Sequence, residues 1–272
     1  MRVVVVGVVA AMFFCAPVFA QGVKLPSVTN SIGMELIEIP AGKFTMGSPE
    51  DEKDRRENEA QVPVTLTKPF SLGKTEVTQG QWKEVMGSEP WKRQTNTIKG
   101  ENVSASHVKY DDAADFCERL TDLERKAGKL KADEEYRLPT EAEWEYVCRA
   151  GTTTAFSFGD DESKLGEYAW FDGNAGDAGE KYNHKVGLKK PNPWDLHDIH
   201  GNVFEWCSDW YGEKLSGGTD PAGPNGGSYR MFRGGGWWYY AGSCRSAFRN
   251  YDVPSYRSGS LGFRVARSQS AQ

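Results

Sequence analysis

The chain has 272 residues, which is enough for one large domain or two small ones. Its net charge of −5 gives no electrostatic argument for nucleic acid as a partner. Nine Trp and 30 Gly predict a loop-rich body in which a few large side chains fill the core.

Residues 1–20 are typical of a signal peptide. Arg2 supplies the positive charge, Val3 to Phe14 form the apolar run, and Val18-Phe19-Ala20 fits a cleavage site. The run is too short for a stable membrane span, although an uncleaved anchor is the alternative. We therefore predict a secreted or periplasmic protein, with residues 21–33 as a linker.

Strands are predicted in the first part of the remaining chain. Apolar and polar residues alternate over 34–40 and 43–48, and further strands are predicted over 62–66 and 70–72. The charged segment from 49 to 60 is interpreted as a solvated loop.

Three helices are predicted, and two of them begin with a capping box. Thr78 with Gln81 opens the first, and Thr140 with Glu143 opens the third. Helical spacing of apolar residues predicts the longest one over 111–127. No long helix is predicted after residue 151, so the sequence indicates one α+β domain with irregular β structure late in the chain.

The segment from Gly201 to Gly212 combines a turn, aromatic residues and carboxylates. Gly201-Asn202 is a turn signal, and Phe204 and Trp206 offer a large apolar area for a core. Glu205 and Asp209 lie between these aromatic residues. Because an unpaired buried carboxylate is costly, both acidic groups need partners.

Six segments of the chain match one protein family in that family's order. The most specific are Arg137-Leu138-Pro139-Thr140-Glu141-Ala142-Glu143-Trp144 and Gly201-Asn202-Val203-Phe204-Glu205-Trp206. The others are Gly33 to Ser48, Lys74 to Thr78, Arg233-Gly234-Gly235 and Gly262-Phe263-Arg264. On these segments the chain resembles the sulfatase-modifying-factor family, whose founding activity is that of the formylglycine-generating enzyme.

The resemblance implies one formylglycine-generating-enzyme-type domain over residues 34–268, followed by a short tail over 269–272. The family fold is an elaborated C-type-lectin-like arrangement of helices and strands. It contains little regular secondary structure and is often bound to calcium.

The family activity depends on two cysteines that lie shortly after the Arg-Gly-Gly block. They bind copper, because soft thiolates suit Cu(I), and use oxygen to convert a sulfatase cysteine to formylglycine. In this chain Tyr239 stands about where the first of the two is expected, and Cys244 is the only cysteine of the segment. We therefore expect no copper, with Cys244 a weak candidate for a lone catalytic residue.

Four cysteines follow the signal peptide, and four allow three complete pairings. The structural disulfide of the family matches Cys148 and Cys244, so the resemblance predicts this bond. A loop of about a hundred residues closed in this way is worth about 4–5 kcal/mol in the chain-entropy model. The family disulfide of the Cys117 position cannot form here, because Val265 stands where its partner cysteine is expected. Cys117 and Cys207 either pair with each other or remain buried thiols.

A calcium site is also implied by the resemblance. Asp198 and Glu205 match its side-chain ligands, and Gly201 and Val203 match its backbone ligands. Carboxylate and carbonyl oxygens are the hard donors that Ca²⁺ prefers. The alternative is a turn whose carboxylates bond backbone N–H groups or an arginine.

Two histidines flank Asp198. His197 and His200 have a spacing that could serve a transition metal. Because the chain has four His and no obvious third ligand, we interpret both as surface histidines.

The run Trp237-Trp238-Tyr239-Tyr240 has two interpretations. A strand with one buried face would direct alternate residues inward. Exposed rings would instead form a ligand surface, because Tyr and Trp combine contact area with a polar group. Arg245 and Arg249 are candidate lining residues of the same cleft, and salt-bridged structural arginines are the alternative.

Three functions fit this sequence. An active formylglycine-generating enzyme needs two reduced thiols near the Arg-Gly-Gly block. A binding module needs only an exposed aromatic patch on a rigid scaffold. Another family oxidoreductase needs a metal or carboxylate group of its own. The missing cysteine pair favours a module that binds a peptide, protein or glycan, with calcium as the cofactor.

Overall fold

The computed structural model describes residues 24–268. The predicted signal peptide, the start of the predicted linker and the predicted tail lie outside these residues. Strand β1 (Ser27–Thr29) falls within the predicted linker and pairs with the next strand, so the linker prediction is wrong there. Between residues 24 and 268 no helix is long and apolar enough to cross a membrane.

Residues 24–268 form four α-helices, and three of them match the predicted ones. They are α1 (Gln79–Met86), α2 (Tyr110–Lys126), α3 (Glu141–Arg149) and the short α4 (Leu165–Tyr168).

Both predicted capping boxes are confirmed. The Thr78 side chain accepts a hydrogen bond from the Gln81 N–H, and the Gln81 side chain accepts one from the Thr78 N–H. Thr140 and Glu143 do the same at the start of α3. Each box satisfies N–H groups that a helix N-terminus leaves without partners. α1 ends at Gly87, whose φ of 65° is the left-handed conformation that glycine adopts without strain.

Twelve short strands form three sheets in the described part of the chain. The first sheet has the order β1-β2-β5-β12-β6, the second β10-β9-β7-β11, and the third β3-β4-β8. Besides β1, the strands are β2 (Glu35–Ile39), β3 (Gly42–Met46), β4 (Val62–Leu66), β5 (Phe70–Gly73), β6 (Tyr136–Arg137), β7 (Phe204–Trp210), β8 (Gly218–Thr219), β9 (Arg230–Arg233), β10 (Asn250–Asp252), β11 (Leu261–Gly262) and β12 (Ala266–Ser268).

β7 lies between the largest hydrophobic cluster and α3. Phe204 and Trp206 pack into that cluster. Successive residues of a strand point to opposite faces, so Glu205 and Asp209 point the other way. They bond the Trp144 side chain and the Glu141 N–H, both from α3. The acidic residues of this segment thus have the partners that their burial requires.

Buried arginine–glutamate pairs connect distant parts of the chain. The pairs are Arg233 with Glu145, Arg245 with Glu59, Arg249 with Glu141, and Arg264 with Glu205. Glu59 is fully buried, so the prediction that residues 49–60 form a solvated loop is wrong at this position. Removing one partner of such a pair leaves an uncompensated buried charge, which makes these pairs important for stability.

Candidate functional site

A tight turn over residues 198–203 precedes β7. Asp198 and Asn202 both have left-handed backbones, with φ of 57° and 62°. Asn and Asp tolerate this conformation better than most residues. The Asn202 side chain accepts a hydrogen bond from the His184 N–H and donates one to Glu76 Oε1, at 2.8 and 3.0 Å. The turn is therefore fixed against Glu76, just before α1.

Three carboxylates meet at this turn, and we call Glu76, Asp198 and Glu205 the carboxylate cluster. All three are almost completely buried. Arg264 binds both oxygens of Glu205, at 2.6 Å each, and the Trp144 Nε1–H donates to Glu205 Oε2 at 2.7 Å. The predicted calcium ligand Glu205 thus has an arginine partner in the structure, as the alternative interpretation proposed.

The other two carboxylates each keep one oxygen without a partner. Asp198 Oδ2 accepts the Gly187 N–H at 2.6 Å, and Glu76 Oε1 accepts from Asn202. Asp198 Oδ1 and Glu76 Oε2 are buried and have no hydrogen-bond partner among residues 24–268. Buried carboxylate oxygens without partners are costly, so these two atoms need a cation or a proton.

The charge balance of the cluster is negative. Burial raises the pKa of Asp198 to about 6. Burial and the nearby charges of Asp198 and Glu205 raise the pKa of Glu76 well above its usual value. Among residues 24–268 Arg264 is the cation that bonds a carboxylate of the cluster, so direct pairing leaves two negative charges when all three carboxylates are ionised. One divalent cation would balance them.

The donor set fits calcium better than a transition metal. In the described part of the chain no group of three or more His, Cys, Asp or Glu side chains is placed to hold one metal ion, and the carboxylate cluster is no exception because Arg264 occupies Glu205. A cation here would be held by Glu76 and Asp198, and the carbonyl oxygens of Gly201 and Val203 are the further ligands that the resemblance implies. Calcium would add positive charge and hold the turn against Glu76.

The two histidines near Asp198 do not form a metal site. His200 is buried, so its prediction as a surface histidine is wrong. His197 is partly exposed, and its Nδ1 lies 2.8 Å from the Lys189 carbonyl oxygen. Each imidazole therefore bonds a different part of the chain.

Residues 237–240 form what we call the aromatic turn. They do not form a strand, but their side chains alternate between the interior and the solvent. Trp237 is buried and donates to the Gly259 carbonyl oxygen, and the Tyr239 ring packs edge-on against Phe204. Trp238 is 51% exposed and Tyr240 is 46% exposed. Two anchored rings thus hold two outward rings in place.

A cation accompanies each outward ring. Lys181 Nζ lies 5.3 Å from the centre of the Trp238 ring, within the range of a cation–π contact. Arg56 Nη2 donates to the Tyr240 hydroxyl at 3.3 Å. Each outward ring of the aromatic turn therefore has one basic side chain beside it.

The two arginines that were predicted to line this surface lie inside the protein. Arg245 is paired with Glu59 and donates to the Asp54 carbonyl oxygen, and Arg249 is paired with Glu141. Both are 2% exposed. Their prediction as ligand-binding residues is wrong because buried acidic partners hold their guanidinium groups in the interior.

All four cysteines between residues 24 and 268 are buried free thiols. The predicted disulfide between Cys148 and Cys244 is not formed in this structure. The His200 ring occupies the space beside them, with Nδ1 3.8 Å from Cys148 Sγ and 2.9 Å from the Cys244 carbonyl oxygen. Burial raises the pKa of Cys148 to about 12 and also raises that of Cys244. Neither sulfur is in a setting that favours a thiolate.

Reasoning from the sequence missed Glu76 as a member of the site. It lies within Lys74 to Thr78, one of the segments that carry the family resemblance. Glu76 stands between Thr75 and Val77, two positions before the helix cap Thr78, and an acidic residue at this place was the available signal. Its partner Asn202 lies 126 residues further along the chain, a distance that no local pattern reveals.

Comparisons with known proteins agree on one family. A family model described as "Sulfatase-modifying factor enzyme 1-like domain" matches residues 24–269. The formylglycine-generating enzyme of Streptomyces coelicolor is 28% identical over 291 residues, covering 85% of this chain and 88% of that protein. "Chaperone protein LppX" of Paenibacillus barcinonensis is 27% identical over 249 residues, covering 78% of this chain and 81% of that protein.

Solved structures with a similar fold cover nearly the whole chain. "Treponema denticola variable protein 1" has a TM-score of 0.75 and 29% identity, covering 90% of this chain and 99% of that one. PvdO from Pseudomonas aeruginosa has a TM-score of 0.78 and 28% identity, covering 92% of this chain and 100% of that one. These similarities confirm the single α+β domain that the sequence predicts.

Proposed function

Because the chain belongs to the sulfatase-modifying-factor family, we propose that it uses the family fold as a scaffold to bind a protein, peptide or glycan ligand. The proposed contact surface is the aromatic turn. Calcium at the carboxylate cluster is the proposed cofactor, with a role in stability rather than chemistry.

One observation carries this proposal: the outward display of Trp238 and Tyr240 by a turn whose other two rings are anchored. Rigid aromatic side chains bind with little loss of conformational freedom, and Trp and Tyr are enriched among residues that dominate binding energy. Lys181 and Arg56 beside the rings favour a ligand with acidic groups. The relative named as a chaperone supports a protein or peptide ligand.

The cysteines support binding over copper chemistry. The family activity requires two thiolates close to each other, and the segment after the Arg-Gly-Gly block has one cysteine. That cysteine, Cys244, is fully buried with a raised pKa. Tyr239, near the expected place of the missing one, has an aromatic ring that packs on Phe204.

The place of action is part of the same proposal. Residues 1–20 have the charge, apolar run and cleavage site of a signal peptide, so we propose that the protein is exported and acts as a secreted or periplasmic protein.

Peptide and glycan arrays, probed in calcium and in chelator, test the proposed surface. Trp238→Ala and Tyr240→Ala should each weaken the binding of a captured ligand by roughly tenfold or more. The control is Tyr229→Ala, an exposed tyrosine that contacts Tyr251 instead of the aromatic turn. If the control weakens binding as much as the two variants, the contact surface lies elsewhere.

An enzyme assay tests the alternative. The purified protein is incubated with copper, oxygen and a sulfatase peptide that contains a cysteine. We expect no conversion of the cysteine to formylglycine. Conversion that is lost in Cys244→Ser would establish an oxidoreductase with a single cysteine and would contradict the binding proposal.

A further inference from the structure

A serine and a histidine outside the carboxylate cluster and the aromatic turn form a buried hydrogen-bonded pair. Ser157 Oγ lies 2.8 Å from His200 Nε2. The other ring nitrogen, Nδ1, lies 2.9 Å from the backbone oxygen of Cys244. Phe156 and Phe158 pack edge-on against the imidazole and fix its plane.

These partners determine which nitrogen carries the proton. A carbonyl oxygen only accepts hydrogen bonds, so Nδ1 donates to the Cys244 oxygen and Nε2 is the acceptor. The Ser157 hydroxyl and the Ser157 backbone N–H, at 3.1 Å, both point to Nε2.

A nucleophile, a base within hydrogen-bond distance and a third group that orients the base are the parts of a nucleophilic hydrolase site. In this chain they are the Ser157 hydroxyl, the His200 imidazole and the Cys244 carbonyl. The backbone N–H of Phe158 directly follows the serine and donates no hydrogen bond within residues 24–268. The N–H after a nucleophilic serine is a common oxyanion donor.

Ser157 also lines a cavity of about 740 Å³. Thr152 and Thr154 line it together with the stacked rings of Phe158 and Tyr168, and none of the lining residues is charged. Such a lining suits a neutral molecule that has both hydroxyl groups and apolar faces, as a sugar does. Ser157 is 3% exposed, so we expect its hydroxyl to admit no more than a small acyl group.

We propose that the chain is also a serine hydrolase that removes acetyl groups from a neutral, hydroxyl-rich ester such as an acetylated sugar. The cavity binds the alcohol part, and Ser157 receives the acetyl group. This activity goes beyond the proposed binding function and does not depend on it.

The reaction balances with water as the one co-reactant. Ser157 Oγ bonds the acetyl carbon while its proton passes to His200 Nε2, and the Cys244 carbonyl stabilises the imidazolium. The bond from the acetyl carbon to the alcohol oxygen breaks, and that oxygen takes the proton from Nε2. Water then attacks the acetyl-serine and gives a proton to Nε2, which returns it to Ser157 Oγ as acetic acid leaves.

Labelling and acetate release test the proposal. The purified protein is treated with methanesulfonyl fluoride, whose small size matches the restricted access, and the modified residue is identified by peptide mass mapping. Release of acetate from acetylated xylo-oligosaccharides and hydrolysis of 4-nitrophenyl acetate and octanoate are measured in parallel. We expect labelling at Ser157, acetate release, and faster hydrolysis of the acetate ester than of the octanoate ester.

Ser157→Ala should reduce acetate release by at least about a hundredfold, because it removes the nucleophile. The matched control Ser163→Ala removes an exposed hydroxyl bonded to Asp161 and should leave the rate unchanged. If Ser157→Ala does not fold, the residue that methanesulfonyl fluoride labels in the unsubstituted protein decides whether Ser157 is the nucleophile. Labelling at another residue, an unchanged rate in folded Ser157→Ala, no acetate release above the buffer rate, or equal hydrolysis of octanoate would each overturn the proposal.

Discussion

Removing calcium should lower the unfolding temperature of the protein, and Asp198→Asn should abolish that response. Within residues 24–268 Arg264 is the cation that bonds the cluster of Glu76, Asp198 and Glu205, so two negative charges lack a directly bonded partner. The amide of Asn keeps an oxygen for the Gly187 N–H but has no charge. The substitution therefore removes a calcium ligand without removing the hydrogen bond that fixes the turn.

The size of the effect follows from linkage. A ligand at a hundred times its dissociation constant adds about 2.7 kcal/mol to the free energy of unfolding. For a domain of this size, each kcal/mol corresponds to about 2–4 °C in the unfolding temperature. We therefore expect a shift of about 5–11 °C between saturating calcium and chelator.

Calorimetry in chelator and after addition of calcium measures this shift. Asp198→Asn in chelator should unfold at or above the temperature of the unmodified chain, because a buried charge is gone. The control Asp122→Asn, on the exposed side of α2, should keep the full calcium response. If calcium leaves the unfolding temperature of the unmodified chain within a degree of its value in chelator, protons and not a cation neutralise the cluster.

Three further outcomes are expected. Burial raises the pKa of Asp209 to about 7, so the folded state keeps a proton that the unfolded state loses above about pH 4. The free energy of unfolding therefore falls as the pH rises from about 4 to about 7. In urea unfolding Asp209→Asn should gain about 2–4 kcal/mol over the unmodified chain at pH 8 and much less near pH 4, and a gain independent of pH would contradict this cause. Arg249→Met should lower the free energy of unfolding by about 3–5 kcal/mol in the same assay, because the buried Glu141 loses its partner. The control Arg119→Met, in an exposed pair, should lower it by under about 1 kcal/mol, and equal losses would argue against a buried pair. Denatured without reductant, the protein should show alkylated Cys148 and Cys244 in mass mapping, and a linked peptide pair would instead establish the predicted disulfide.

Local signals in the sequence were sufficient for the early elements. The capping boxes at Thr78 and Thr140 give the starts of α1 and α3, because a cap depends on residues three positions apart. The sequence also predicted that the rings of residues 237–240 alternate between inward and outward, although the segment is a turn and not a strand.

Partners distant in sequence could not be predicted. Arg245 was predicted to line a ligand surface, because the sequence does not reveal its partner. That partner, Glu59, lies in a segment whose composition is typical of a solvated loop. His200 was interpreted as a surface residue because the chain has four His and no obvious third metal ligand, and its contacts with Ser157 and Cys244, each more than 40 residues away, leave no local pattern. Pairing over such separations is a property of the folded chain, and a pattern in one sequence carries no information on it.

The position of β12 has a consequence for synthesis. This strand is the last described element, yet it lies between β5 and β6 in the first sheet. A ribosome must therefore synthesise the chain as far as β12 before that sheet can close, and sheets built from distant segments form slowly. We expect this sheet to stay open in the nascent chain until residues 266–268 emerge from the ribosome. A product truncated before residue 266 would leave β5 and β6 without the strand that joins them.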